Sequence, residues 1–464
     1  MPTPTFELHA CHLQGIREAA LEAADAGACV FANLSLQGHR LRAGRHRLKV
    51  ADDSRIFLVA LGKAAADMCE AAAGVLGDSL TEGVAAVPHF PARASPDQLA
   101  YIPAGHPLPD EGSLAAGSAV EQMLRNTKRQ DTVVVLVSGG GSAMMELPLE
   151  GIALSDLLHL NELLLRSGAP IQATNAVRSA LSRVKAGGVA RLAAPAQVVG
   201  LILSDVLGDR LSTIASGPTI LRRPDPAAAA AILKSYNLWS SVGAPIRQAL
   251  RRPREIAAGS PRPINLLVGS SRQVLAAAAN HATEFGFAPR IVTRRMRGEA
   301  RDVGHQIAMR VIHFSNQLKY PLGRSRQSAA QRGRAGACLL LAGETTVTVH
   351  GKGKGGRCQE LALSAARALD GMSGVALMAF GTDGVDGPTD AAGAVITGDT
   401  ARLCREAGLN LEAALADNNA YPVLDSVRAL LRTGPTGTNL GDLVVGLIYP
   451  GACEMTNARR GRSL

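Results

Sequence analysis

The chain has 464 residues, more than one ordinary hydrophobic core accommodates, so two or more domains are expected. Hydrophobic residues make up 47% and charged residues 19%, which excludes an intrinsically disordered protein. The aromatic share of 3% argues against a nucleic-acid surface built on base stacking. The formal net charge of +10 favours anionic small molecules as ligands.

Two short basic stretches supply part of that charge. Residues 319–334 carry five basic side chains and no acid, and three arginines lie within the last eight residues. We interpret both as solvated loop and tail; a nucleic-acid recognition patch is the alternative. The glycine, serine and arginine content of residues 323–336 predicts an exposed flexible loop.

The compartment is predicted from the cysteines and the N-terminal sequence. Seven cysteines show no Cys-x-x-Cys spacing, which favours reduced thiols over disulfides or a zinc site. The first residues lack the basic start and apolar run of a signal peptide, and no stretch approaches the ~20 apolar residues of a membrane span. We therefore expect a soluble cytoplasmic protein that binds neither membrane nor nucleic acid.

Short apolar runs with strand character alternate with helical patterns along the chain. The continuous run 133–137 is the strongest strand prediction, and it is typical of a strand buried on both faces of a parallel sheet. The alternation predicts the α/β class. Charges, a glycine and prolines interrupt the pattern at 251–263, so we expect one domain at 1–250 and a second at 264–450.

A glycine-rich segment, here called the first glycine loop, follows the 133–137 run directly. It consists of Ser138, Gly139, Gly140, Gly141 and Ser142. Glycines let the backbone turn sharply and bring N–H groups close to an anion, and ligands bind at the carboxyl ends of strands in open α/β sheets. No Gly-Lys-Ser/Thr follows, so this is not a Walker A loop. We predict phosphate binding; a tight structural turn is the alternative.

A second glycine loop, residues 351–356, matches Gly-x-Gly-x-x-Gly after the strand-like run 345–349. No acid follows about 20 residues on to hold a ribose hydroxyl, which disfavours a dinucleotide site. Two lysines inside the loop suit a charged phosphate better. Gly353, Gly355 and Gly356 are therefore predicted nucleotide contacts.

Acidic residues follow two further strand-like runs. One segment, 204–209, contains Asp205, and the other, 381–390, contains Asp383 and Asp386. Carboxylates at strand ends beside anion-binding loops suit a magnesium–nucleotide site, because Mg²⁺ takes a few carboxylates plus phosphate oxygens. For any one of these residues, the alternative is a turn in which Asp bonds its own backbone.

Two more charged residues lie next to predicted strands. Lys63 begins a helix immediately after the strand at 56–61, so its ammonium could reach a ligand cleft; a solvated surface lysine is the alternative. Glu344 lies in Gly-Glu-Thr-Thr after the run 339–341 and is assigned to the nucleotide site.

Taken in order, these motifs resemble the glycerate 2-kinase family that carries a C-terminal MOFRL domain. The resemblance spans roughly residues 55–445. The segments that carry it are 62–65, 105–107, 138–142, 204–209, 216–219, 343–346, 351–360, 381–394 and 437–439.

The resemblance implies two Rossmann-like α/β domains with the active site in the cleft between them. It also implies transfer of the γ-phosphate of ATP, with Mg²⁺, to the 2-hydroxyl of D-glycerate, giving 2-phosphoglycerate and ADP. Lys63 and Arg357 match the family's proposed catalytic lysine and arginine. Asp205 is assigned to catalysis and Asp383 and Asp386 to the metal, although which Asp takes which role stays open.

The sequence departs from the family in two places and leaves several alternatives. Cys358 stands where the family has Asn, and the basic stretch 319–334 looks like an added loop. A hydroxypyruvate reductase using NAD(P)H is the rival enzyme, but it needs the missing dinucleotide acid. A nucleic-acid or anion-binding module is the rival of another class. D-Glycerate and ATP are the expected partners, and a homodimer is left open.

Overall fold

The computed structural model describes residues 6–91, 96–204, 208–253, 261–319 and 336–454. The chain divides into two compact units, Asp25–Ser270 and a second unit that joins residues up to Ala24 with Ser271 onward. The predicted domain limits, 1–250 and 264–450, stay a prediction. The predicted exposed loop at 323–336 lies, apart from Gly336, outside the described residues. No helix in the described part of the chain is long and apolar enough to cross a membrane.

The unit Asp25–Ser270 combines a parallel sheet with helices. Its strands are β1 (Leu34–Gln37), β2 (Arg40–Ala43), β3 (His46–Lys49), β4 (Ile56–Leu61), β5 (Leu80–Val87), β6 (Leu99–Pro103), β7 (Thr132–Val137), β8 (Gln197–Ser204) and β9 (Ile264–Ser270). Its helices are α2 (Ala26–Asn33), α3 (Ala65–Leu76), α4 (Glu111–Leu124), α5 (Gly141–Met144), α6 (Leu154–Arg166), α7 (Ile171–Leu181), α8 (Gly188–Leu192), α9 (Pro226–Ser235) and α10 (Ala244–Arg251).

The main sheet of this unit has the strand order β6-β5-β4-β7-β8-β9, and every pairing in it is parallel. Counted along the chain, this is the 3-2-1-4-5-6 order of the Rossmann fold. The order reverses between β4 and β7, which is where such sheets bind ligands. Strands β1 to β3 form a separate antiparallel sheet.

The sequence explains why β4 and β7 lie at the centre. Every residue of both strands is buried, which matches their continuous apolar runs. One core cluster packs the sheet against α4, with Val59, Val133 and Val135 fully buried. A second cluster joins α6, α7, α9 and α10 through their leucine-rich faces.

The second unit combines a mixed sheet with helices. Its strands are β10 (Phe287–Met296), β11 (Gly336–Gly343), β12 (Met372–Gly381), β13 (Gly393–Thr397), β14 (Leu430–Leu431) and β15 (Asp442–Glu454). Its helices are α1 (Phe6–Glu22), α11 (Ser271–Glu284), α12 (Ala300–Lys319), α13 (Arg357–Ala368), α14 (Thr400–Glu406), α15 (Leu411–Ala416) and α16 (Ala420–Ser426).

The second sheet has the order β10-β11-β15-β12-β13-β14. Only the β10–β11 pairing is parallel among its described strands, since β11–β15, β15–β12, β12–β13 and β13–β14 are antiparallel. Buried apolar residues of α12 and α13 cover one face. The predicted α/β class is therefore confirmed, with a Rossmann strand order in the first sheet and a mixed sheet in the second.

Candidate active site

Lys63 and the first glycine loop lie at the switch point of the parallel sheet. Lys63 belongs to the turn between β4 and α3, and residues 138–140 link β7 to the short helix α5. The helix predicted at Lys63 begins two residues later, at Ala65. Because β4 and β7 are neighbours in the sheet, their C-terminal loops are brought together. The structure thus places two of the predicted site elements side by side.

Backbone bonds join these two loops. The amide of Lys63 donates to the carbonyl of Gly139 at 2.8 Å, and the amide of Ala64 donates to Ser138 Oγ at 3.1 Å. Gly62 has φ +116°, and a Cβ there would lie 2.4 Å from Ser138 Oγ. A side chain at position 62 would therefore push the loops apart, so the glycine sets their spacing.

Gly140 brings the loop against two basic side chains. Its φ is +83°, a left-handed conformation that glycine adopts without strain. A Cβ there would meet His106 Cδ2 at 3.0 Å and Lys63 Cγ at 3.3 Å. Burial, and secondly the charge of Lys63, lowers the pKa of His106. The lowered pKa favours the neutral imidazole. His106 was not assigned to the site from sequence, although the motif 105–107 contains it.

The other end of the first glycine loop contacts the 3₁₀ turn Ile214–Ser216. Ser142 Oγ and Ser216 Oγ lie 2.8 Å apart, within hydrogen-bonding distance. Ala215 and Ser216 have φ of +45° and +61°, which costs energy for residues with a Cβ. Strain of this kind is common at ligand sites. Asp205, predicted nearby, lies outside the described residues.

In the second unit, Arg357 is the first residue of α13 and makes a fork-to-fork pair with Asp442. Its Nε and Nη2 donate to Asp442 Oδ2 and Oδ1 at 2.7 and 2.8 Å, and Nη1 lies 3.2 Å from Glu344 Oε1. Burial alone would lower the pKa of Arg357, but Asp442 and Glu344 outweigh it and raise the pKa above its ordinary value. The structure thus brings together two predicted residues, Arg357 and Glu344, and adds to them an acid, Asp442, that sequence reasoning missed.

Asp386 occupies the N-terminus of α13. Its Oδ1 and Oδ2 accept from the amides of Cys358 and Gln359 at 3.1 and 2.9 Å. Burial raises the pKa of Asp386 to about 6 despite these two bonds. The carboxylate supplies the negative charge that a helix N-terminus favours. The place at this helix N-terminus where a phosphate could bind is therefore occupied by the Asp386 carboxylate.

The second glycine loop packs against residues 417–419. Asn418 Oδ1 accepts from the amides of His350 and Gly351 at 2.7 and 3.1 Å. The amides of Lys352 and Lys354 donate to Asp417 Oδ1 and Asn419 Oδ1, both at 3.0 Å, and that of Gly353 donates to the Asp417 carbonyl at 2.9 Å. Consecutive amides of this loop are thus directed at the protein's own side chains and backbone.

Comparisons with known proteins agree with this architecture. Residues 12–251 match a domain of unknown function, DUF4147, and residues 337–442 match the MOFRL family. A D-glycerate 2-kinase from Thermotoga maritima is 40% identical over 410 residues, covering 88% of this chain and 94% of that protein. The chain belongs to the glycerate kinase family with DUF4147 and MOFRL domains.

Other relatives extend the match over nearly the whole chain. A glycerate 2-kinase from Pyrococcus horikoshii is 37% identical over 444 residues, covering 91% of this chain and 94% of that protein. The crystal structure of a glycerate kinase from Thermotoga maritima has a TM-score of 0.82 at 36% identity, covering 95% of this chain and all of that one. Both units of this glycerate kinase family member therefore have counterparts in a solved relative.

A magnesium site was predicted at Asp383 and Asp386. Asp383 Oδ1 accepts from the amide of Val385 at 3.2 Å, and both oxygens of Asp386 accept helix amides. Within the described ranges, no group of three or more acids, histidines or cysteines is arranged to hold a metal ion. Mg²⁺ in phosphoryl transfer needs only one or two carboxylates besides phosphate oxygens. Asp383 fits that requirement better than the helix-capping Asp386.

Proposed function

We propose that this protein is a glycerate 2-kinase that transfers the γ-phosphate of ATP to the 2-hydroxyl of D-glycerate, giving 2-phosphoglycerate and ADP. The observation that carries the proposal is the position of Lys63 beside the first glycine loop at the switch point of a parallel sheet. The glycerate 2-kinase relatives at 37–40% identity support it.

Lys63 and Arg357 are proposed to stabilise the transferring phosphoryl group. The 2-hydroxyl oxygen of glycerate attacks the γ-phosphorus, the bond from that phosphorus to the bridging oxygen breaks, and ADP leaves. Positioning and charge neutralisation supply most of the catalysis in such reactions. The two hydrogen bonds that Arg357 donates to Asp442 fix the orientation of the guanidinium, so less ordering is required when the substrates bind.

The first glycine loop is proposed to bind an anion, either the nucleotide phosphates or the glycerate carboxylate. The left-handed turn at Gly140 and the partly exposed Ser142 hydroxyl are placed to meet such an anion. Ser138 stays a predicted contact with less support, because its hydroxyl is buried and accepts from the amide of Ala64. Glu344 is proposed to contact the nucleotide, since its side chain is 53% exposed beside Arg357. Gly353, Gly355 and Gly356 stay predicted nucleotide contacts, with less support because their loop packs on residues 417–419.

Magnesium is proposed to accompany ATP. When bound, Mg²⁺ neutralises phosphate charge. Asp383 would hold it through its carboxylate, at the end of β12 and beside the pair formed by Arg357 and Asp442. Of Asp205 and Asp383, the acid that does not hold the metal would accept the proton of the glycerate hydroxyl.

One coupled assay tests the activity and its regiochemistry together. The protein is incubated with ATP, Mg²⁺ and D-glycerate, and enolase is then added without a mutase. Enolase consumes 2-phosphoglycerate directly, so consumption of the product supports a 2-kinase. A product that enolase takes only after addition of a mutase would indicate the 3-isomer. A parallel incubation with NAD(P)H and hydroxypyruvate tests the reductase alternative, which predicts loss of the reduced nicotinamide.

A further inference from the structure

A buried ion pair lies just beyond the first glycine loop. Lys185 Nζ bonds Glu146 Oε2, and the two residues are 1% and 4% exposed. Glu146 Oε1 also accepts from the amide of Leu147 at 3.0 Å. A buried charge of either sign is costly without its partner. Because each of these charges neutralises the other, the pair has no net charge to offer a ligand.

A third charged residue, Arg178, lies in the last turn of α7 near this pair. Its neighbours Val177 and Leu181 are buried in the α6–α7–α9–α10 core, whereas Arg178 is partly exposed. Burial lowers the pKa of Arg178, and the charge of Glu146 opposes the shift. Among the described residues, the Arg178 guanidinium makes no hydrogen bond and no ion pair.

The chain segments that flank Arg178 are linked by hydrogen bonds to the first glycine loop. The segment after α5 pairs with the segment after α7, since the amide of Leu149 donates to Leu181 O at 2.9 Å and that of Arg183 donates to Leu147 O. The segment after Lys185 reaches the strained turn, because the amide of Ala186 donates to Ser216 O at 2.9 Å. Ser216 in turn contacts Ser142. Hydrogen bonds therefore connect the surroundings of Arg178 to the predicted anion loop.

We propose that Arg178 binds the carboxylate of the glycerate substrate. This inference rests on the proposed function and names the group that recognises the acid end of its substrate. A guanidinium binds a carboxylate through two parallel hydrogen bonds, and the half-buried Arg178, which has no hydrogen-bond partner among the described residues, can make both of them with a ligand. The charges of Glu146 and Lys185 cancel, so Arg178 carries the one net positive charge of the three residues. A single positive charge matches a monoanionic carboxylate rather than a polyphosphate.

The test compares Arg178→Gln and Arg178→Lys with Arg166→Gln, which removes an exposed arginine that pairs with Glu162 on the neighbouring helix α6. The KM for D-glycerate should rise about 10- to 100-fold in Arg178→Gln, with the KM for ATP changed less than about twofold. Arg178→Lys keeps the charge but loses the fork, so it should fall between wild type and Arg178→Gln. Arg166→Gln should behave as wild type.

Calorimetry with D-glycerate alone, and with glycerol as a probe without the carboxylate, gives a second measurement that needs no catalysis. Wild type should bind D-glycerate more tightly than Arg178→Gln does, while glycerol should bind both equally weakly. An unchanged glycerate KM in an active Arg178→Gln enzyme would overturn the inference and leave the kinase assignment intact. A rise in the KM for ATP instead would place Arg178 at the nucleotide and also overturn it. If wild type binds glycerate through Arg178 but transfers no phosphate, the inference holds and the proposed kinase activity fails.

Discussion

The two glycine loops look alike in sequence, since each follows a strand-like run and leads into a helix. Their surroundings differ. The first glycine loop lies at the carboxyl end of β7, beside the end of its parallel neighbour β4, and is close to Lys63 and His106. The amides of the second donate to residues 417–419, and the helix that follows it is capped by Asp386. We therefore expect the first loop to meet a ligand, whereas the amides of the second are occupied by its own chain and Arg357 follows it.

This difference explains why a glycine pattern alone does not identify a phosphate site. Glycine allows a close approach, but the sequence does not say whether a phosphate or a protein group makes it. In the second loop, a Cβ at Gly353 would lie 2.4 Å from Asn419 Cβ, and one at Gly356 would lie 2.4 Å from Asp386 Oδ1. The approaching groups there are protein side chains more than 25 residues away in sequence.

The largest expected effect comes from removing the cation next to each loop, Lys63 beside the first and Arg357 after the second. Lys63→Ala and Arg357→Ala should each lower kcat by ~10³-fold or more while changing ATP affinity little, because cations on a transferring phosphoryl group are worth that much. Single-turnover rates and nucleotide titrations measure the two quantities. Arg367→Ala is the control, since Arg367 lies on the same helix α13 and pairs with the exposed Glu412. Turnover near wild type in either variant would remove that residue from the catalytic assignment.

Substitution of a glycine in each loop should distinguish the two loops, with a smaller effect on activity. Gly140→Ala should reduce kcat/KM by ~10- to 100-fold, because the new methyl meets His106 and Lys63 and displaces them from the site. Gly151→Ala is a matched control, since Gly151 has nearly the same φ, +82° against +83°, but no atom within 4 Å of its would-be Cβ. Equal losses in both variants would mean that backbone strain, and not the contact, is responsible.

Gly353→Ala provides the contrast in the second loop. Its methyl would lie 2.5 Å from the Asp417 carbonyl oxygen as well as close to Asn419, so overpacking should lower the free energy of unfolding by about 1–3 kcal/mol. Urea denaturation measures this loss. A fully stable Gly353→Ala variant with weakened ATP binding would instead favour direct nucleotide contact at this loop.

Sequence reasoning predicted the parts of the molecule that depend on local pattern. The run 133–137 became a fully buried central strand, and the α/β class follows from the alternation of such runs with helices. Lys63 and the first glycine loop were found because each directly follows a strand. Asp442 was missed, since it begins β15 and pairs with Arg357 across 85 residues of sequence. Arg178 was missed because a single arginine in a helical pattern looks like a solvated surface residue.

A substitution at Asp131 tests how much the contacts at the start of β7, the strand that precedes the first glycine loop, contribute to stability. Its buried carboxylate accepts from Arg55 Nη2 at 2.6 Å and from the amides of Arg55 and Lys128 at 3.0 and 2.7 Å. Burial alone would raise the pKa of Asp131, but these bonds outweigh it and lower the pKa. Asp131→Asn should therefore destabilise the protein at pH 7 by about 2 kcal/mol.

The sign of the pH dependence follows from that lowered pKa. The carboxylate contributes its stability above the pKa of Asp in the unfolded chain, about 3.9, and loses it as pH falls through the lower folded value. The gap in stability between wild type and Asp131→Asn should thus be constant from pH 7 to about 5 and close below about 4. Urea denaturation across this range measures it. A gap that stays constant at pH 3 would show that packing, and not charge, holds the start of β7.

The smallest effect is expected at Cys358, where the second loop departs from the family's Asn. Two hypotheses follow from the sequence: a thiol activated by neighbouring cations, or an inert buried thiol. The side chain is 1% exposed, and burial, followed by the charges of Asp442 and Asp386, raises the pKa of Cys358 well above its ordinary value. A thiol of this kind carries almost no thiolate at neutral pH and reacts slowly.

Iodoacetamide should therefore label the exposed Cys11 and leave both Cys358 and the kinase activity unchanged. Mass spectrometry of the labelled peptides, with activity measured on the same sample, checks both points. Cys358→Asn should keep both KM values within about twofold. The side chain at position 358 belongs to the hydrophobic core of the second unit and lies against the Asp442 carboxylate, away from solvent. Inactivation by the reagent, prevented by ATP and Mg²⁺, would contradict this and place the thiol at the nucleotide. In that case the second glycine loop would open in solution far enough to meet a ligand, and the contrast with the first loop would be one of degree.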